Sequence, residues 1–429
     1  MHVHDKRTWN KRIARFLKKH LGGLRLDEVN DPRDPRGRRW QLDVLLTAFV
    51  VSMIAGAKSL LEVERMTTEM SSPILRQLDI HRRLPDTTAR NVLCELEPSE
   101  IRQRLYDEMR AAHRRKAIEP ENLPFGIAAM DGKGTALPSC DDHYAQRQTG
   151  SGQLVGVLRT TTAALVSSRA KVCLDASPIP AATNEMGHFP TALDELCAAY
   201  GSIRLFQLVT YDSGACSRAN AAHVRNKGLD YFFALKGNQL TLETEAHRLL
   251  VGRAADTADA TTEDVRNGQL VIRRAYLTEE MAGYDGWEHL QTVLRVQSET
   301  RAADGKLLAG DERYFLCSLP RSKLTDAQWL HVARLHWGVE NNVHNTLDTV
   351  FQEDDHPWIE SDPKGALVVA LIRRIALNLL VLFRSVTQRS EERRAMPWAT
   401  LIRDIWLALV RTTADDLRDT PRERTVAPV

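Results

Sequence analysis

Residues Ile203 to Gln239, IRLFQLVTYDSGACSRANAAHVRNKGLDYFFALKGNQ, decide the fold class. Ile203 to Val209 reads as a buried strand that leads into Thr210-Tyr211-Asp212-Ser213-Gly214, where an acid sits at the strand's end. Ser217 can start a helix that closes at Gly228, and Tyr231 to Leu235 is a second short apolar run ending in Lys236-Gly237-Asn238-Gln239. Strand, helix, strand in this order predicts an α/β sheet, in which functional groups gather at strand ends.

Working toward the N-terminus, the helix before this unit is predicted from about Pro190 to Tyr200. Leu154 to Val166 and Lys171 to Leu174 read as further strands of the same sheet. Phe125 to Met130 reads as a buried strand that stops at Asp131-Gly132-Lys133-Gly134 and so delivers a carboxylate and a Lys to a Gly-rich turn. A polar loop follows, Ser139 to Gly152. Residues 1 to about 120 read as helical, with a core helix over Leu42 to Met66 carrying Leu45, Phe49 and Met53 on one face. Asp86 can cap a short helix that presents Thr87, Thr88, Arg90 and Asn91, a shape that fits a DNA groove or an ordinary surface.

Toward the C-terminus, Gln239 to about Gly252 is predicted helical. Thr261 to Leu319 then alternates with period two between turn signals at Asn267-Gly268, Asp285-Gly286 and Asp304-Gly305, which predicts antiparallel strands. Thr325 and Gln328 form a capping-box pair, and Val339, Val343, Leu347 and Val350 repeat at helical spacing, so one helix is expected from about Asp326 to about Phe351. Glu340 lies in its middle, with His336 one turn before and His344 one turn after on a common face. Two further helices are expected, about Lys364 to Arg384 and Trp398 to Val410, followed by a loose polar tail.

Asp131, Asp212 and Glu340 are far apart in sequence, so only the fold can bring them together. Three carboxylates converging on a cleft repel one another unless cations lie between them, and hard oxygen ligands favour Mg²⁺ or Mn²⁺. Two such ions support in-line phosphoryl transfer. Lys133, Lys236 and Arg334 are candidate phosphate contacts on the same logic. Taken singly, each acid equally fits a turn or a cap, and the Glu340 face equally fits a solvated surface.

The chain has 429 residues, 43% of them hydrophobic and 27% charged, which is globular composition with room for two or three domains and excludes a disordered chain. Its net charge of +2 conceals an asymmetry. Before Trp40, Lys6, Arg7, Lys11, Arg12, Arg15, Lys18, Lys19, Arg25, Arg33, Arg36, Arg38 and Arg39 face only Asp5, Asp27, Glu28, Asp31 and Asp34, an excess that fits either a polyanion-binding surface or a solvated basic segment. The six cysteines are scattered without paired spacing, which points to a reduced compartment. The N-terminus lacks the apolar core of a signal peptide. Ala366 to Phe383 is long and apolar enough for a membrane span, but Arg373 and Arg374 at its centre favour a buried core helix.

MDGK around Asp131, VTYDSGACS around Asp212, GLDYFFALKGNQ, and above all LHWGVENNVHNTLDTVFQED resemble the DDE transposases of bacterial insertion sequences, in the group that includes the H-repeat-associated proteins. DPRDPRGRRWQLDVLLTAFVVSMIAGAKSLLEVER near the N-terminus and RRIALNLL near Arg373 extend the resemblance over roughly residues 30 to 385. It departs at Gly134 and Asn345, in the loop Ser139 to Gly152, and over Arg266 to Gln269, which lacks the His-Gly-Arg character usual there.

The resemblance implies an α/β ribonuclease-H-like catalytic core with a β-rich insertion, preceded by an all-helical domain and followed by C-terminal helices. The expected divisions are 1–120, 121–252, 253–322, 323–385 and 386–429. It implies Asp131, Asp212 and Glu340 as catalytic, metal-binding acids for two Mg²⁺ or Mn²⁺ ions. Lys133, Lys236, Asn238, Arg334, His336, His344, Arg38, Arg39 and Arg90 are the implied DNA contacts. The implied partner is double-stranded DNA, both element ends and target, bound by a homodimer in the bacterial cytoplasm. A domesticated nuclease that cuts without joining and an inert DNA-binding protein remain as alternative readings.

Overall fold

The computed structural model describes residues 3–141, 143–150 and 153–418, the side chains of residues 3–7, 148–150 and 153–154 excepted. The chain divides into two compact units, residues 109–349 with 360–363, and residues 1–108 with 350–359 and 364–429.

The first unit is mixed α/β, as expected, and is built on one large sheet. Its strands are β1 (Ile127–Leu137), β2 (Ala145–Gly150), β3 (Gln153–Leu165), β4 (Val172–Pro178), β5 (Leu208–Tyr211), β6 (Asp230–Leu235), β7 (Ala260–Arg266), β8 (Gln269–Thr278), β9 (Thr292–Arg301) and β10 (Leu307–Cys317). They lie in the order β2-β3-β1-β5-β6-β10-β9-β8-β7, with β4 also pairing with β3. β5 runs parallel to both β1 and β6, whereas β3 is antiparallel to β1. Every residue of β5 is buried, as is Ile127–Met130 of β1, which suits strands covered on both faces. Ser217 caps the crossover helix Arg218–Asn226 by accepting from the Asn220 amide, as its sequence position predicts.

The period-two region joins this same sheet through one strand. Tyr314 to Cys317 of β10 are buried and pair with β6, while the first half of β10 is exposed and pairs with β9 alone. β10 therefore belongs to the core at one end and to the meander β7-β8-β9 at the other.

Six local expectations are corrected. The strand expected over Ile203 to Val209 is β5, Leu208–Tyr211, because Gly201–Ile203 forms a 3-10 turn closed by Arg204 in the left-handed region. β1 does not stop at Asp131; it runs on to Leu137, because β3 pairs with it as far as Leu137 opposite Gly156. The helix expected at Pro190 begins at Glu185, with Asn184 as N-cap accepting from the Gly187 amide, so Pro190 lies inside it. The helix expected over Leu42 to Met66 is two helices, Leu42–Ile54 and Leu60–Glu69, broken at Gly56, whose φ of 99° is closed to other residues. Asp86 is not a cap but the first residue of helix Asp86–Glu95, and its amide donates to Glu64. Of the polar loop expected at Ser139 to Gly152, residues 145–150 form β2, while Asp142, Ser151 and Gly152 lie outside the described residues. So does the tail beyond Arg418.

The second unit is helical among its described residues and is organised on helix Pro363–Leu382, in which nearly every side chain is buried. It is the one described helix long and apolar enough to cross a membrane, yet its apolar stretch is fully buried. The two central arginines explain how. Arg374, 1% exposed, donates from both guanidinium nitrogens to Glu353, at 2.9 and 3.1 Å, and also to the Ala370 carbonyl. Arg373 lies 5.4 Å from the Trp358 ring and donates to the His356 carbonyl. Trp9 and Phe16 of helix Val3–Leu21 meet Phe383 edge-on at 5.5 and 5.0 Å.

A buried ion pair is costly to half-remove, because the remaining charge has no water to solvate it. Glu353→Leu should therefore cost about 3–5 kcal/mol in urea unfolding. The double variant Glu353→Leu, Arg374→Met should recover most of that loss; a single variant as stable as wild type contradicts the account.

Candidate active site

The register between β1 and β5 brings the first two acids together. Ala129 pairs with Thr210, and Asp131 and Asp212 each lie two residues further along adjacent parallel strands. Asp212 caps the turn that follows β5, accepting from the Gly214 amide at 2.8 Å. Glu340 comes from a helical segment much later in the chain. Asp131, Asp212 and Glu340 all line one cavity of about 490 Å³, together with Lys236, Arg313 and Trp337.

The segment carrying Glu340 is not the single helix its spacing predicts. An α-helix spans Asp326–Leu335, started by the capping box of Thr325 and Gln328. A π-helical turn then spans Val339–His344, in which the Asn345 amide donates to the Glu340 carbonyl five residues back, and an α-helix resumes at Asn345–Val350. The wider turn exposes Glu340 and Asn341 while Val339, Val343 and Leu347 stay buried. Gly338 sets how closely the segment approaches the sheet, since a Cβ there would come within 2.6 Å of Val166 Cγ1.

His336 fastens this segment to the sheet. Its Nδ1 shares a 2.6 Å hydrogen bond with the Thr210 hydroxyl, on the strand that delivers Asp212. Burial, with Arg313 and Lys236 nearby, holds the imidazole pKa down at about 4, so the ring is neutral. His344 is also buried and its Nδ1 lies 3.5 Å from Asp131 Oδ2. Both histidines, expected to contact DNA or to orient Glu340 or a phosphate, are buried, His336 against Thr210 and His344 beside Asp131.

A fourth acid sits beside Asp131. Tyr211 donates its hydroxyl to Glu185 Oε1 at 2.8 Å, and any Cβ at residue 132 would collide with the Glu185 carboxylate, so Gly132 is what lets this acid approach. Burial first, then the charges of Glu185, Asp212 and Glu340, push the Asp131 pKa up to about 7. The sequence pattern does not single out Glu185, because Pro190 looks like the start of this helix. Asn184 immediately before an acid was the available signal.

The remaining candidates are dispersed. Lys236 is exposed at the cavity wall. Asn238 donates to the Ser213 carbonyl at 2.7 Å and so ties the loop after β6 to the Asp212 turn. Lys133 is committed to Asp348 at 2.6 Å, and Arg334 lies 3.3 Å from Asp264. Arg38, Arg39 and Arg90 are exposed on the helical unit, where Arg38 donates to the Arg33 and Asp31 carbonyls.

The donor set suits a hard divalent cation: the groups are carboxylates, and such an ion relieves both the burial and the neighbouring charges that raise the Asp131 pKa. Among the described residues no three His, Cys, Asp or Glu side chains form a ready-made group for one ion.

The Asp131 shift has a definite sign. Its folded pKa of about 7 lies above that of an unfolded Asp, so the folded chain holds the extra proton between the two values and loses stability as pH rises through that window. In metal-free buffer, wild type should lose stability relative to Asp131→Asn between about pH 4 and about pH 7. A stability difference that stays constant across the window contradicts this.

Most of the chain matches known protein families. Residues 126–379 match the family described as Transposase DDE domain, and residues 24–107 match the one described as DDE_Tnp_1-associated. The chain is 25% identical to "Putative transposase YncI" of Escherichia coli O157:H7 over 82% of this chain and 85% of that protein. It is 25% identical to "H repeat-associated putative transposase YhhI" of Escherichia coli strain K12, over 83% of this chain and 90% of that protein. "Putative protein YbfL" of the same strain is 26% identical over 82% and 88%. With the DDE domain covering more than half its length, the chain belongs to the DDE transposase family.

Proposed function

We propose that the protein is a DNA transposase that cuts a phosphodiester at the ends of an insertion sequence and joins the freed 3′ hydroxyl to target DNA. The observation that carries this reading is the convergence of Asp131, Asp212 and Glu340 on one cavity beside Lys236. The strand order β4-β3-β1-β5-β6, with β3 antiparallel to β1 and β1, β5 and β6 parallel, supports a ribonuclease-H-like core for the unit that holds them.

In this reading Asp131, Asp212 and Glu340 hold two Mg²⁺ or Mn²⁺ ions. When bound there, divalent cations supply activation of the attacking oxygen and charge stabilisation at the leaving one. The chain's own groups do the positioning. Asp131 and Asp212 project from neighbouring strands whose buried pairing leaves them little freedom, and Glu340 closes the site from the helical side. Neutral His336 keeps that segment docked without adding a positive charge that would compete for the acids. Lys236 contacts the backbone phosphate of the strand lying in the cavity.

With Mg²⁺ and duplex DNA carrying the sequences that flank the coding region, wild type should give both nicked and joined products. Asp212→Asn and Glu340→Gln should each lower strand cleavage by more than about 100-fold, the upper range for removing even a residue that only supports a metal ligand. Equal cleavage in all three proteins sinks the assignment, and cleavage without any joining points to a nuclease. Independently of activity, Mn²⁺ should raise the melting temperature of wild type more at about pH 8 than at about pH 5, because the Asp131 carboxyl is protonated at the lower pH. A pH-independent shift removes Asp131 from the metal site.

A further inference from the structure

A second cavity, of about 350 Å³, adjoins the acidic one and shares Arg313 and Trp337 with it. Four arginines line it: Arg266 and Arg273 from the β7-β8 hairpin, Arg313 from β10 and Arg334 from helix Asp326–Leu335. The sheet register explains the grouping. Arg273 pairs with Ser298 and Ser298 with Asp311, while in the neighbouring row Val296 pairs with Arg313, so these side chains share one face.

The positive charge is only partly matched. Asp264 serves both Arg273, at 2.9 Å, and Arg334, at 3.3 Å, and Asp311 serves Arg313 at 2.6 Å. Arg266 is exposed and makes no ion pair among the described residues. Four guanidinium groups against two carboxylates leave an uncompensated excess inside a concave surface. Their crowding is felt at Arg273, where burial and the charges of Arg334 and Arg266 lower the guanidinium pKa. The Arg313 guanidinium lies 4.1 Å from the Trp337 ring centroid, which fixes it at the boundary between the two cavities.

We propose that this arginine pocket is the seat for a DNA backbone phosphate next to the one being cleaved, so that one strand runs from the acidic cavity across Arg313 onto the β7-β10 meander. The proposal rests on the reading of the acidic cavity as a phosphodiester-cleaving site. It gives the meander a function of its own: it carries the strand, and the acids cut it. Arginine suits the task because its planar fork donates two hydrogen bonds to one phosphate.

Salt dependence of DNA binding tests this, since removing one arginine that neutralises a phosphate makes the slope of log K against log salt shallower by about one. The probe is a fluorescently labelled mixed-sequence duplex, read by anisotropy in metal-free buffer. Arg266→Gln combined with Arg334→Gln should flatten the slope by about one to two, with melting behaviour close to wild type because Arg266 is exposed and Arg334 is about a third exposed. Arg169→Gln, an exposed arginine paired with Glu121 elsewhere on the unit, serves as the charge control and should leave the slope unchanged. An unchanged slope in the double variant overturns the proposal, and so does equal flattening in the control. If wild type shows no Mg²⁺-dependent cleavage, the reading of the acidic cavity fails, while the slope still reports on the arginine pocket.

Discussion

The hydrogen bond between the Thr210 hydroxyl and His336 Nδ1 joins the two parts of the chain on which the site depends. Thr210 stands two residues before Asp212, and His336 four before Glu340, so this one contact sets the distance between an acid at a strand end and an acid on a helix. Both partners are buried, and leaving either unsatisfied would cost about 1–3 kcal/mol. The low pKa of His336 keeps the ring neutral over the whole physiological range, so the bond is made without a buried charge. Gly338 and the buried Val339, Val343 and Leu347 then bring the segment close enough for the π turn to present Glu340 to the cavity.

Holding several carboxylates together works against folding. Burial and the neighbouring charges of Glu185, Asp212 and Glu340 drive the Asp131 pKa to about 7, a strain of the kind stored where function demands it. The same unit crowds arginines in the adjoining cavity, again with too few opposite charges. The molecule thus keeps an anionic and a cationic pocket side by side with Arg313 and Trp337 between them, an arrangement that a metal ion on one side and a phosphate on the other would relax together.

Much of this was legible in the sequence because local rules and the final fold agree there. The apolar run of β6, the Ser217 cap and the Thr325–Gln328 capping box sit where their patterns place them, whereas β5 comes later than its pattern suggests. The three acids could be singled out, but their meeting depends on the β1–β5 register and on the docking of a distant helix, neither of which leaves a local trace. The errors have the same origin. β1 runs through Gly132 and Gly134 because β3 pairs with it there, and the glycine that looked like a turn signal is instead the space occupied by Glu185. The π turn keeps the apolar spacing of an ordinary helix, and so it is silent in the pattern. The spacing of His336 and His344 puts them on one face with Glu340, but their contacts with Thr210 and Asp131 leave no trace in it.

The central claim is that the acids from β1, the end of β5 and the π turn form one cation site. Anomalous diffraction from crystals grown with Mn²⁺ tests it directly. The account predicts Mn²⁺ peaks whose coordination shells include oxygens of Asp131, Asp212 and Glu340. Ordered Mn²⁺ bound elsewhere, with none of these three acids in its coordination shell, would contradict it.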